Sequence, residues 1–198
     1  MDIKPVVLRG RYVQLVPLTP DHAQALWAAG SDPNLWTYTT VKPAALEEMK
    51  AYVASALRDM AAGSALPFAT CDSQTGEVIG STRFMSMEPK HKRVEIGSTF
   101  VTPARQRTPV NTEAKYLMFR HAFEVWGVNR VELKTGSLNV KSRTAMTRLG
   151  LTEEGILRRH IINDDGFVRD TVYFSVIAEE WPEIKRGLEE KLARPWKE

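Results

Sequence analysis

Apolar and polar positions change their spacing along the chain, and each change marks an element. Arg11 to Val16 reads as a strand that stops at Pro17-Leu18-Thr19-Pro20-Asp21, where Thr19 is placed to cap a helix with Pro20 in its first turn. That helix is expected over about 20–29. Leu46, Met49, Val53, Leu57 and Met60 recur at helical spacing and predict a second helix closed by Gly63. The linker between the two, Ser31 to Lys42, carries Trp36 and Tyr38. Extended runs from Leu66 to Cys71, Val78 to Met87 and Arg93 to Val101 follow. Turn chemistry at Gln74-Thr75-Gly76 and Glu88-Pro89-Lys90 makes them an antiparallel meander.

From Thr112 the period becomes helical: Ala114, Leu117, Met118, His121, Ala122 and Val125 form one apolar stripe ending at Gly127. Val131, Leu133 and Thr135 then alternate with Glu132 and Lys134 as a strand does. Asn139 opens a helix whose inner face is Ser142, Ala145, Met146 and Leu149, and Gly150 ends it. Asn163-Asp164-Asp165-Gly166 is a hairpin signal between Ile156–Ile162 and Val168–Ile177. Trp181, Ile184, Leu188 and Leu192 predict a last helix at about 179–192. Strand, helix and strand over 93–137 require a parallel pair, because a crossover helix returns the chain in the same direction. The sheet is therefore expected to be mixed, within one domain spanning 1–198.

Composition narrows the classes. The 198 residues are 43% hydrophobic, enough for a sizeable core. No stretch has signal-peptide character or approaches the roughly 18 apolar residues of a membrane helix, so a soluble protein without membrane contact is expected. Cys71 is the only cysteine, which excludes a disulfide or cysteine metal cage within the chain and points to a reducing, cytoplasmic setting. It reads as a small buried hydrophobe. A net charge of +3, from 27 basic and 24 acidic residues spread evenly, gives no indication of nucleic acid. The densest basic cluster, Lys90-His91-Lys92-Arg93, has no interleaved aromatics and reads as a solvated hairpin tip.

Several local sequences then add up. Val94-Glu95-Ile96-Gly97, Asn111-Thr112-Glu113-Ala114-Lys115, Asn139-Val140-Lys141-Ser142 with Leu149-Gly150, and Glu154-Gly155-Ile156-Leu157-Arg158 occur in this order, joined by Arg169-Asp170 and Glu180-Trp181-Pro182. Over roughly residues 8 to 183 the chain resembles the Gcn5-related N-acetyltransferase (GNAT) superfamily. Within it, the chain is similar to the branch of ribosomal-protein N-terminal (alanine/serine) acetyltransferases of the RimJ/RimL type. The resemblance implies an α+β (layered α/β) fold, with a mixed, mostly antiparallel seven-stranded sheet and helices on both faces. It implies acetyl-CoA as cosubstrate, no metal, and acetyl transfer to a primary amine by direct attack in a ternary complex. The acceptor it implies is a protein or peptide N-terminal α-amine, with a small-molecule amine as the alternative. Oligomeric state is open, a homodimer being one option.

By the same resemblance, Glu95 is the general base, Thr99 presents its N–H to the acetyl carbonyl, and the main chain of Phe100 and Val101 pairs with the pantetheine arm. On an ideal strand Glu95, Gly97 and Thr99 share a face, and the family's bulge in this strand bears on that register. The alternative for Glu95 is a salt-bridged carboxylate on the sheet. The phosphate loop falls on Gln106, Arg107, Thr108, Pro109, Val110 and Asn111, ahead of Thr112, and departs from the family in having no glycine. Either Arg105 and Arg107 supply as charge what the loop lacks in backbone donors, with Asn111 capping the helix, or cofactor binding is weakened and the chain is a non-catalytic acyl-CoA-binding module.

The family's acid tyrosine is replaced by Met146, so Ser142 is left as the candidate donor to the leaving sulfur, against a packing role. Asn139 resembles the family's contact to coenzyme A, and helix capping is compatible with it. Trp36, Tyr38 and His160 are acceptor-side candidates, with loop anchors and a structural polar residue as the alternatives. His121 reads as a core histidine.

Overall fold

The protein is described by a computed structural model covering residues 1–196. Its strands are β1 (Leu8–Arg9), β2 (Val13–Pro17), β3 (Leu66–Asp72), β4 (Val78–Glu88), β5 (Arg93–Val101), β6 (Arg130–Gly136), β7 (Thr152–Ile162) and β8 (Val168–Ile177). The α-helices are α1 (Ala23–Ala29), α2 (Leu46–Ala61), α3 (Pro109–Arg120), α4 (Val140–Leu149) and α5 (Trp181–Ala193). All strands join one sheet in the order β1-β2-β3-β4-β5-β6-β8-β7. β5 and β6, the two strands joined by the α3 crossover, run parallel, and every other neighbouring pair is antiparallel.

Period-two alternation sends adjacent residues to opposite cores. Leu15, Phe68 and Phe84 pack with Leu117 and Met118 of α3, Met146 of α4 and Leu188 of α5. Their neighbours Val16 and Ala69 pack on the other face with Leu26 of α1 and Met49 and Val53 of α2. Helices therefore cover both faces. Cys71 lies in the α1–α2 core, and burial pushes its thiol pKa up. No described helix is long and apolar enough to cross a membrane.

Three differences from the sequence reading have local causes. The sheet has eight strands rather than seven, because Leu8–Arg9 pairs with Leu15 and Gln14, and two residues carry no readable alternation. The first helix opens as a 3-10 turn, Pro20–His22, in which His22 Nδ1 accepts the Thr19 N–H at 3.0 Å, and α1 starts only at Ala23. The long helix ends its α-helical part at Arg120 and continues as a π-helical turn, His121–Val125. His121 is half-buried there between Phe84 and Trp126, and burial followed by the Arg120 charge lowers its pKa.

Candidate active site

The parallel ladder between β5 and β6 has three rungs and stops at Glu95 opposite Glu132, although β5 continues to Val101 and β6 to Gly136. The cause is a bulge. On β4 the register jumps from Arg83 opposite Gly97 to Ser81 opposite Phe100, and Ser98 takes a left-handed φ of 47°. The bend pulls β5 away from β6 and leaves a gap between them, with unpaired backbone along β5.

The bulge also changes which side chains share a face. Glu95 and Gly97 stay together, since a Cβ on Gly97 would stand 3.2 Å from Glu95 Oε1. Thr99 does not join them. The extra residue turns it to the α3 side, where its hydroxyl lies 2.8 Å from Thr82 Oγ1 and accepts from Lys115 Nζ at 2.7 Å. The single-face expectation for Glu95, Gly97 and Thr99 is corrected accordingly.

On the α1–α2 side, Glu95 is 3% exposed, and its Oε2 accepts from Lys134 Nζ at 2.8 Å and Ser86 Oγ at 3.2 Å. The Lys134 ammonium lies 5.8 Å from the Tyr173 ring centre, and Tyr173 meets the exposed His160 edge-on at 5.8 Å. Arg169 is buried beside them and donates from Nη1 to the Tyr38 carbonyl at 3.4 Å. Burial lowers its pKa, against the opposing charges of Glu95 and Tyr173. The α1–α2 linker is thereby tied to the β7–β8 hairpin, with the Asp164 N–H donating to Thr40 O at 3.1 Å and Lys42 paired with Asp165.

Trp36 is buried, donates Nε1–H to Gly30 O at 2.8 Å and packs on Phe100 with ring centres 4.9 Å apart, so it anchors the linker from below. Tyr38 is exposed. An open recess of about 410 Å³ lies next to them, lined by Trp27, Ser31, Pro33, Trp36 and Lys42.

At the other end of the gap, the N-cap of α3 is Thr108, whose Oγ1 accepts from the Val110 N–H at 3.3 Å; Asn111 sits inside the first turn instead of capping it. Pro109 is at the first helical position, where the N–H has no intrahelical partner, so it removes no helix bond. Arg107 adopts a φ of 60°, the conformation a glycine would supply, and is exposed. Arg105 is held by Asp72 at 3.0 Å, and Gln106 Nε2 donates to Val101 O at 3.1 Å. Burial raises the Asp72 carboxyl pKa, but N–H bonds from Thr75 and Gln74 and the Arg105 charge outweigh it, and the net shift is downward. Thr112 is buried in the second half of this turn.

Asn139 caps α4, its Oδ1 accepting from the Ser142 N–H at 3.1 Å. The half-buried Ser142 hydroxyl makes no hydrogen bond among the described residues, and Met146 is buried in the core.

Two buried charged residues of α3 entered the sequence analysis only as members of the Asn111–Lys115 stretch, with no role assigned to either. Glu113 accepts three backbone N–H groups, from Arg11, Tyr12 and Val13, at 2.8, 2.6 and 2.8 Å, and so fastens the start of β2 to the helix. Gly10 lies against it, where a Cβ would come within 2.4 Å of the carboxylate. Lys115 is wholly buried among threonines, and desolvation pushes its pKa from 10.5 down to about 7. The available signal was position: it precedes Met118 by one turn, on the edge of the apolar stripe.

A model of the acetyltransferase (GNAT) domain matches residues 13–152. The chain belongs to the GNAT family. A Gcn5-related N-acetyltransferase from Brucella melitensis is similar at 34% identity and a TM-score of 0.89, over 96% of this GNAT chain and 86% of the other. A Mycobacterium smegmatis RimJ, solved with CoA-disulfide, has a TM-score of 0.78 over 98% of this chain and 95% of its own; at 23% identity it speaks for the fold alone. The Bacillus subtilis protein named "Putative ribosomal N-acetyltransferase YdaF" is 28% identical over 106 residues, 54% of this chain. The match spans 57% of the length of the curated relatives.

GNAT domains use acetyl-CoA, and the donor set here fits it. The unpaired β5 edge suits an extended amide-bearing arm, and the α3 N-terminus with exposed Arg107 suits a polyanion.

Proposed function

We propose that this N-acetyltransferase acetylates the N-terminal α-amine of a protein or peptide, with Glu95 and Ser142 as catalytic residues. The observation that carries the proposal is the β5–β6 gap, which has a tethered carboxylate on one side and a capped helix N-terminus at its end. Acetyl-CoA supplies the activated acyl group. The β5 main chain at Phe100 and Val101 holds the pantetheine arm, and the turn formed by Arg105, Gln106, Arg107, Thr108, Val110, Asn111 and Thr112, with Asn139 across the gap, holds the phosphorylated end.

Glu95 accepts the acceptor's proton, directly or through water, while Lys134 and Ser86 fix its orientation. An α-amine with a pKa near ~8 is about a tenth neutral at pH 7, against well under ~1% for lysine near ~10.4, so it asks least of a base already engaged by two donors. The name of the YdaF relative points the same way. Tyr38 and His160 border the acceptor side, and Trp36 supports it from beneath. A cytoplasmic setting belongs to the same proposal.

The test is acetyl-CoA-dependent thiol release across a panel of peptides with different first residues, lysine side-chain analogues and small amines. Faster turnover with α-amino peptides is expected. A preference for lysine analogues or small amines overturns the acceptor, and the absence of amine-dependent release from every candidate overturns the reading altogether.

A further inference from the structure

The α3 side of the bulge holds an amine that the reaction described above leaves unused. Lys115 is 4% exposed, with Nζ 2.7 Å from Thr99 Oγ1 and 3.2 Å from Thr82 Oγ1, and the two hydroxyls are themselves 2.8 Å apart. β4 and β5 offer it only these threonines, and among the described residues no carboxylate forms an ion pair with it. On its own helix, Met118 Sδ closes over Thr82 Oγ1 at 3.7 Å, and the Glu113 carboxylate is turned onto the N–H groups of Arg11 to Val13. Glu95 lies on the opposite face of β5, paired with Lys134. Thr99, in contrast to Lys115, is exposed, and it sits on the stretch of β5 that β6 leaves unpaired.

We propose that the Thr99 hydroxyl is a proton donor to the departing sulfur and that Lys115 is the positioning residue behind it, which orients the hydroxyl and restores its proton. The assignment rests on the acetyltransferase reading above. An acetyl carbonyl that took the Thr99 N–H would bring its carbon–sulfur bond within reach of the hydroxyl of the same residue. As the carbon–sulfur bond opens, its electron pair stays on sulfur, the Thr99 O–H proton moves to sulfur, and a Lys115 ammonium proton moves to the Thr99 oxygen. Threonine ends unchanged, the thiol neutral, and Lys115 a neutral amine. Water restores its proton through Thr99 when the site empties.

The energetics run the right way. An amine near 7 is a stronger acid than a thiol near ~8.5, and both of its protonation states are populated at neutral pH. Met146 occupies the position of the family's acid tyrosine and brings no proton, so the hydroxyls of Ser142 and Thr99 are left to face the sulfur, and it is Thr99 that has an ammonium behind it.

Two variants and two readouts test this. In Lys115→Met and Thr99→Val, kcat is expected to fall roughly 100-fold, with KM for acetyl-CoA within about threefold of wild type. In both, the loss of kcat as pH rises through about 7 should disappear. Independently of turnover, binding of CoA and of desulfo-CoA, which lacks the sulfur, is compared by calorimetric titration at pH 6.5. The wild type should bind CoA several-fold tighter than desulfo-CoA, since the ammonium-backed hydroxyl donates to the sulfur, and both variants should lose that difference. An equal preference for CoA in wild type and variants overturns the proposal, as does a raised KM with kcat and its pH profile unchanged. If the wild type released no thiol with any amine, the acetyltransferase reading would fall, and the comparison of CoA with desulfo-CoA would still decide the role of Lys115.

Discussion

Glu95 is held in place before any substrate arrives. Both of its contacts fall on Oε2, so one oxygen is fixed by Lys134 and Ser86 while Oε1 takes no hydrogen bond among the described residues. Glu95→Gln keeps the shape but removes the basic oxygen and leaves Lys134 beside an amide. Turnover is expected to fall about 10- to 100-fold, with acetyl-CoA affinity within about twofold, as checked by steady-state kinetics and calorimetric titration. Weakened cofactor binding at unchanged turnover would remove Glu95 from the chemistry. Its type and place were legible, since Val94-Glu95-Ile96-Gly97 is a local signature. Its partner was not: Lys134 reaches it only through parallel pairing of segments far apart in the chain, and neither segment records that register. The role of Glu113 escaped for the same reason, because its three N–H partners lie about 100 residues upstream.

Elements bounded by glycine or by clear alternation were the readable ones. The span of β5, Arg93–Val101, is the one that alternation and turn residues give, and Gly63, Gly127 and Gly150 close their helices with positive φ. The β5 bulge was expected from the family resemblance alone and the turn at Arg107 not at all, because a left-handed φ on Ser98 or Arg107 has no compositional mark: neither residue is glycine. That opacity matters most in the turn before α3 that is proposed to hold the phosphates. Arg107 there combines two properties, a left-handed backbone and an exposed positive charge, and Arg107→Gly separates them. Removing the steric cost of the left-handed conformation is worth about 1 kcal/mol, partly offset by glycine's entropy, so Tm should hold or rise by ~1–3 °C. Losing the charge should weaken CoA binding several-fold at low salt and flatten its salt dependence. A drop in Tm would show that Arg107 makes contacts its exposure conceals, and unchanged affinity would take it out of the phosphate site.

Across the whole molecule, one buried amine imposes a pH dependence on folding. Lys115 titrates near 10.5 when exposed in the unfolded chain and at about 7 in the folded one, so between those values the unfolded state binds more protons and stability rises with pH. Below about pH 7 the lysine is protonated in both states and the cost of burying its charge is full. Above 10.5 it is neutral in both and the cost vanishes. The difference between these limits is on the order of 5 kcal/mol, a large fraction of the 5–15 kcal/mol typical of a folded domain. Lys115→Met removes the charge and leaves two threonines that satisfy each other at 2.8 Å, so little offsets the gain. The variant should be more stable than wild type at pH 7 by a few kcal/mol in urea titrations, and the advantage should shrink steadily towards pH 10. A destabilised variant with a parallel pH profile would mean that the folded protein keeps this lysine charged throughout, held by a partner that its threonine neighbours do not supply. A stabilised but slow enzyme is the combination expected of a residue retained for chemistry at the expense of the fold.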